Sequence, residues 1–306
     1  MTAISDKTAP VRQSRPVTYR NYSRLGYERL THGVYGYGPD VSGLDQWDSQ
    51  RRYFLPQVTA IMKLYESKTI ALWGMTALQV LDVALPTQLE DWQNCHVLVP
   101  RHVNRPLRHG VVAHRSSTPL TIWGRRNDAP LLHPVEHWLQ LIDASDDAMI
   151  EVGDGLMRRQ RPLLSEHEVR THLASMKSVN GLPRARRILQ WVRSGTDSIY
   201  ETRTRLALVR AGLPCPKVNH PVRCRSVGRT FHVDMGYPAE KVAVEYDGSV
   251  HVGDRRQMEI DAVRRRALQE EGWLLITVTA DQLAQVTAMV RSVEAALVLR
   301  RAALRG

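Results

Sequence analysis

Cysteine is scarce, with three residues (Cys95, Cys215 and Cys224) in a chain of 306. So small and odd a set makes no disulfide framework and fits a reducing compartment. Cys215 and Cys224, with His220 between them, also lack the close pairing of a structural zinc site. No stretch approaches the roughly 18 consecutive apolar residues needed to cross a bilayer. The first residues, Met1-Thr-Ala-Ile-Ser-Asp-Lys-Thr8, show no basic segment leading into an apolar run. Neither a secretory signal nor a membrane partner is therefore expected, and the expected location is the cytoplasm. A Gly-rich phosphate loop, a Ser/His/Asp signature and any organic-cofactor motif are missing too, which argues against a cofactor-dependent small-molecule enzyme.

What is present is charge of one sign. Forty-two Lys and Arg against 31 Asp and Glu leave a formal charge of +11, which favours a polyanionic partner. A hydrophobic fraction of 43% with 24% charged residues is ordinary for a globular chain, and excludes wholesale disorder, collagen-like repeats and fibres. At roughly 100–200 residues per domain, the length accommodates about two domains.

Residues 1–20 mix Thr, Pro, Arg and Ser without period and read as a loose basic arm. Leu25 to Tyr37 reads as a hairpin turning at Thr31-His32-Gly33, which is either packed on the next domain or a DNA-touching wing. Apolar spacing predicts helix from Gln57 to about Asp91, ended by Pro86. His96–Pro100 and Gly110–Arg115 read as strands, separated by a basic stretch. Helical spacing returns at 134–143, 147–158 and 165–176, the last opened by the capping box Ser165-Glu-His-Glu168. A basic helix carrying Arg184, Arg186, Arg187 and Arg193 precedes Gly195, where a domain boundary is expected. The expected division is 1–50, 51–195 and 196–306.

The last segment reads helix (198–211), strand (230–237), strand (241–247), helix (254–271), apolar strand (273–279) and amphipathic helix. The apolar strand is expected mid-sheet, covered on both faces. The order predicts an α/β layer in a chain that is α+β overall. Side chains alternate across a strand. Phe231, Val233 and Met235 should therefore share one face and His232 and Asp234 the other, while Ala243, Glu245 and Asp247 lie together. If the strands pair as a hairpin, Asp234 comes opposite or diagonal to Glu245. Carboxylates so gathered repel without a cation, and hard oxygen ligands suit Mg²⁺ or Mn²⁺. His251 follows the Gly248 turn and is placed to orient a water or contact a phosphate. The alternative is an ion-pair network of these acids with Arg203, Arg205 or Lys241. Glu201, three residues after Ser198, has a capping role compatible with a site role. Arg255, Arg256, Arg264, Arg265 and Arg266 crowd the next helix, some necessarily solvent-facing. They could contact phosphates, with Arg184 and Arg187 extending the footprint, or pair along the helix at i,i+4.

Phe231-His-Val-Asp234-Met-Gly-Tyr-Pro238, Val242-Ala-Val-Glu245-Tyr-Asp247-Gly248-Ser-Val-His251, Asp261 through Arg265, and Gly272-Trp-Leu-Leu-Ile-Thr-Val-Thr279 form a distinctive series. With Glu201-Thr-Arg-Thr-Arg-Leu-Ala-Leu-Val-Arg-Ala-Gly-Leu-Pro214, it resembles the very-short-patch-repair-like endonuclease domain of the restriction-endonuclease-like PD-(D/E)XK superfamily. The resemblance covers residues 196–285. It implies an α/β/α sandwich with a mixed sheet, DNA as substrate and Asp234 and Glu245 as metal-binding acids. Glu201 would be an outer acid. Where that superfamily carries acid–x–Lys, this chain has Glu245-Tyr-Asp247, leaving Asp247 and His251 as the remaining catalytic candidates. Leu30–Tyr35, Ala71–Leu78, His96–Pro100 and Gly110–Ser116 resemble an AbiE-type antitoxin-like region, a smaller α+β domain usually opened by a winged helix. Too little chain precedes Leu30 for its three helices, so a reduced wing is expected. The implied activity is Mg²⁺-dependent hydrolysis of DNA phosphodiesters, and the competing reading is a regulator that binds DNA without cutting it.

Overall fold

The computed structural model describes residues 23, 28–31, 34–66, 69–106, 108–177, 179–248 and 255–305. The hairpin is present: β1 (Glu28–Thr31) pairs antiparallel with β2 (Val34–Gly36), Arg29 opposite Tyr35. Its turn at His32 and Gly33 and the basic arm lie outside the described residues.

Helix starts earlier than the spacing predicts. In α1 (Gln46–Leu64), the Asp45 carboxylate accepts the Asp48 N–H at 2.8 Å as N-cap. The expected run to Asp91 is broken by a two-residue strand, β3 (Ala71–Leu72), before α2 (Gly74–Val80). Ala71 and Leu72 bond strands on both sides, and that tertiary pairing overrides their helical spacing. β4 (Cys95–Pro100) and β5 (Val111–Ser116) stand where expected, and run parallel. Next comes a hairpin that spacing did not indicate, β6 (Gly124–Arg126) and β7 (Ala129–Leu131). Its turn residues Asn127 and Asp128 both take positive φ, 48° and 63°, as a type I′ turn requires. The sheet order is β5-β4-β3-β7-β6. α1 and α2 pack on it, and α3 (Pro134–Leu139), α4 (Asp146–Leu156), α5 (Glu166–Ser175) and α6 (Leu182–Ile188) follow, α3 packing on α2 and α4 on α3 and α6. The Ser165/Glu168 capping box forms as expected. Trp138, fully buried, donates its ring N–H to the Met149 carbonyl at 2.7 Å.

The second layer begins with α7 (Ile199–Arg210), then β8 (Lys217–Cys224), β9 (Arg229–Tyr237), β10 (Val242–Tyr246), α8 (Arg255–Glu270), β11 (Leu274–Val278), α9 (Ala280–Ala284) and α10 (Val286–Ala303). The sheet order is β11-β10-β9-β8, with β11 parallel to β10 and the remaining pairs antiparallel. On one face Met235, Val242 and Val244 pack against Leu208 of α7 and Met289, Val293 and Leu297 of α10. On the other, Val222, Val233 and Ala243 pack against Ala267 and Leu268 of α8. The result is an α/β/α sandwich around a mixed sheet, in a chain that is α+β overall.

One strand is new and two expectations are corrected. β8, which the spacing did not indicate, is the long edge partner of β9. β11 is the opposite edge and not a central strand, its apolar character coming from helices above and below. The last amphipathic helix is two, because the chain breaks at Gln285 (φ −101°, ψ 55°). Within the second of them Val293 and Leu297 are buried, while Val286 and Leu304, on the same stripe, stand at its two ends and stay exposed.

α7 belongs to both cores, Leu206 packing in the first and Leu208 in the second. Its cations meet the acids of α4. Arg205 donates to Asp154 at 2.8 Å, both side chains 1% exposed, while Thr202 Oγ1 donates to the same oxygen at 2.8 Å. Arg203 bonds Glu151 at 2.8 Å, and Arg210 bonds Asp147. Among the described residues no helix is long and apolar enough to cross a membrane.

Candidate functional site

The alternation expected along β9 fails at one residue. Phe231 and Val233 face α8, but Met235 and Tyr237 face α7 and α10. The break falls at Asp234. The β8–β9 ladder skips that position, where Asn219 opposite takes φ 50°. On its other side the β9–β10 ladder stops at Met235–Val244, so the same register would set Asp234 against Glu245. Instead, Asp234 Oδ2 accepts the Tyr246 main-chain N–H at 3.0 Å, filling the place of a ladder bond. The strands part there, and a half-buried carboxylate occupies the gap.

Two further acids reach this gap. Glu245, one residue before Tyr246, lies on the α8 side of β10, like Ala243. Glu201 arrives from the first turn of α7. Ser198 Oγ accepts the Glu201 N–H at 3.1 Å, which is one half of the expected capping box. The return bonds come to Glu201 from Ser198 Oγ and from the Asp197 N–H, both at 3.0 Å, so the cap also fixes the carboxylate. Burial, with the Asp234 charge next, pushes Glu201 up to about 7. Burial and then the Glu245 charge push Asp234 up to about 6. Glu201 therefore feels the charge of Asp234, and Asp234 that of Glu245.

The cation that answers them is Arg264 of α8. Its Nη1 donates to Glu245 Oε2 at 3.1 Å, its Nη2 to Oε1, and Nη2 also to the His232 carbonyl at 2.7 Å. Glu245 thus does pair with an arginine, though not one of those expected, and the same charge bears on Asp234. Arg203 and Arg205 bond Glu151 and Asp154, and Lys241 Nζ donates to the Glu271 carbonyl at 2.8 Å. Arg264, expected either to contact a phosphate or to pair along its own helix, is in this structure the partner of a carboxylate on β10, with 27% of its side chain exposed.

The remaining candidates are scattered. Asp247 follows β10 with an exposed side chain, its N–H bonded to the Val278 carbonyl at 2.9 Å. His251 and the side chains of Arg255 and Arg256 lie outside the described residues. Arg265 is exposed on α8, and Arg266 pairs with Glu270 at i,i+4 and 3.1 Å. Arg184 is committed to Asp146 Oδ1 at 2.6 Å and to the carbonyls of Ile142 and Ala144. Arg187 stands 3.9 Å from Asp146 Oδ2 with 62% of its side chain exposed.

Spacing missed three neighbours. Arg159 bonds Asp197, whose N–H holds Glu201, and its charge bears on Asp234. Tyr200 and Tyr246 stack beside the acids, ring centres 4.9 Å apart and planes 7° from parallel. Only the folded contact of α7 with β10 makes them neighbours. Among the described residues, no group of three or more His, Cys, Asp or Glu side chains is arranged to hold a metal ion.

No family model matches the chain. Two proteins of Mycobacterium tuberculosis are each 27% identical to it over 189 residues, which is 61% of this chain and 68% of theirs. They are uncharacterized protein MT2308 of strain CDC 1551 / Oshkosh and uncharacterized protein Rv2248 of strain H37Rv. The crystal structure of the RV2827C protein from Mycobacterium tuberculosis aligns over 69% of this chain and 78% of that one, with a TM-score of 0.33 and 13% identity.

Proposed function

We propose that this chain acts on DNA and that Glu201, Asp234 and Glu245 form a metal-dependent phosphodiesterase site of the restriction-endonuclease-like kind. The observation that carries the reading is the convergence of these three acids where β9 parts from β10. A site that holds carboxylates together against their own repulsion suits a divalent cation. Asp234 and Glu245 would be the protein ligands. Two carboxylates with water completing the shell fit Mg²⁺ or Mn²⁺, which rarely take an all-protein cage. Such a cation would supply charge to the scissile phosphate and lower the pKa of a bound water.

The chain's own residues have separate tasks in this reading. Glu201, about half protonated near neutrality, exchanges a proton at a carboxylate oxygen with the attacking water. Ser198 and the Asp197 N–H hold that carboxylate in place. The acid at Asp247 stands where the resemblance puts a lysine, so Arg264 is the side-chain cation supported by geometry.

A specific observation also favours the second reading, a DNA-binding regulator that does not cut. Arg264 forks onto both oxygens of Glu245 and already gives it the opposite charge that a metal would supply. Nicking of supercoiled plasmid in Mg²⁺ or Mn²⁺ separates the two. The enzyme reading expects nicking by the wild type and none by Asp234→Asn. If neither protein nicks while both bind the plasmid, the hydrolase reading is lost and the binding reading stands.

A further inference from the structure

A further basic surface lies in the first layer. Between Asp91 and Asp128 the chain has no Asp or Glu at all, but it carries six Arg and four His. One exposed part of that segment is the loop after β4, where Arg101, His102, Asn104 and Arg105 face solvent. The loop connects β4 to the parallel edge strand β5, so nothing in the sheet lies beyond it on that side.

The loop is held from beneath. Val103 packs against the first core, Pro106 is buried, and the Val103 N–H closes a turn on the Pro100 carbonyl at 3.1 Å. Arg115 of β5 then directs Nη1 at three loop carbonyls: Pro100 at 2.8 Å, Arg101 at 2.9 Å and Val103. A guanidinium beneath the turn neutralises its carbonyl dipoles and adds positive charge, leaving the outer face to cations and donors. Among the described residues, neither Arg101 nor Arg105 has a carboxylate partner. The solvent-facing side chains are polar, so the loop offers no apolar wedge for a lipid surface.

We propose that the Arg101–Arg105 loop contacts the phosphate backbone of duplex DNA. This extends the DNA-directed reading above, on which it rests, and gives the first layer a positioning role. Phosphate contacts fix register without reading sequence, and two exposed arginines on a braced loop suit that task.

The test measures binding of the full chain to a fluorescent duplex across a NaCl series, for wild type, Arg101→Gln/Arg105→Gln and Arg265→Gln. Each lost phosphate contact lowers the slope of log affinity against log salt by about one, so the double variant should lose about two. Its melting temperature should match the wild type, because both side chains are exposed. A wild-type slope in the double variant, with a reduced slope in Arg265→Gln, overturns this inference and leaves the DNA-directed reading intact. No duplex binding by the wild type at low salt overturns both. Arginine-dependent binding to phosphatidylserine vesicles without duplex binding identifies a lipid surface and overturns the inference.

Discussion

Glu201→Gln should stabilise the folded chain, and only above mildly acidic pH. Burial on the first turn of α7 and the Asp234 charge carry the Glu201 carboxyl from its ordinary 4.5 up to about 7. Each pH unit of difference between the folded and unfolded pKa is worth about 1.4 kcal/mol, so ionised Glu201 costs the folded chain on the order of 3 kcal/mol. Because the folded value is the higher one, the neutral acid's contribution is complete below the unfolded value. It is lost as pH rises through the folded one. Gln keeps the size and one acceptor oxygen, for the Asp197 N–H, offers its amide N–H to Ser198 Oγ, and removes the charge. At about pH 4 the two proteins should agree within roughly 0.5 kcal/mol, while near pH 8 the Gln variant should be more stable by about 1–3 kcal/mol, allowing for solvent screening. Urea unfolding over a pH series without divalent cations measures this directly. A difference that is constant with pH, or a Gln variant weaker at alkaline pH, would refute the claim that the three acids share one electrostatic site.

Asp154→Asn leaves the Arg205 guanidinium buried without its counter-charge and should cost about 3–5 kcal/mol in urea midpoint analysis. Replacing both partners by apolar residues, Asp154→Leu with Arg205→Met, should recover most of that loss. Ser198→Ala removes the α7 cap and should cost about 1 kcal/mol, with a larger fall in any nicking rate because Glu201 loses its support. Under the metal reading, Mn²⁺ at neutral pH raises the thermal midpoint of the wild type and not of Asp234→Asn, by the linkage of binding to folding. A scanning fluorimetry series in Mn²⁺ checks this, and equal shifts in the two proteins would count against Asp234 as a ligand.

Much of the fold was legible because local chemistry agreed with the final structure. The Ser165/Glu168 cap, the strands at 95–100 and 111–116, and the helix–strand order after residue 198 follow from spacing, caps and turn residues. β3 and β8 were not legible, because short strands are defined by partners that sequence-local patterns do not contain. The β6–β7 hairpin had a usable signal, Asn127-Asp128, in the wrong company of short flanking segments.

The candidate site divides the same way. Residue types and spacing alone determined that Asp234 and Glu245 sit on neighbouring strands and that Glu201 caps a helix. Only the tertiary structure decided how they meet. Alternation assigned Asp234 to one face, whereas a skipped rung beside Asn219 places it at the break between two faces, bonded to the Tyr246 N–H. The partner of Glu245 likewise could not be read from the chain. Eight arginines crowd α7 and α8 within equal reach on paper, and helix phase together with the α7–α4 contacts assigns Arg203 and Arg205 elsewhere and leaves Arg264 at the acids. Periodicity is a property of neighbours along the chain, while charge pairing is settled by which helix face packs where.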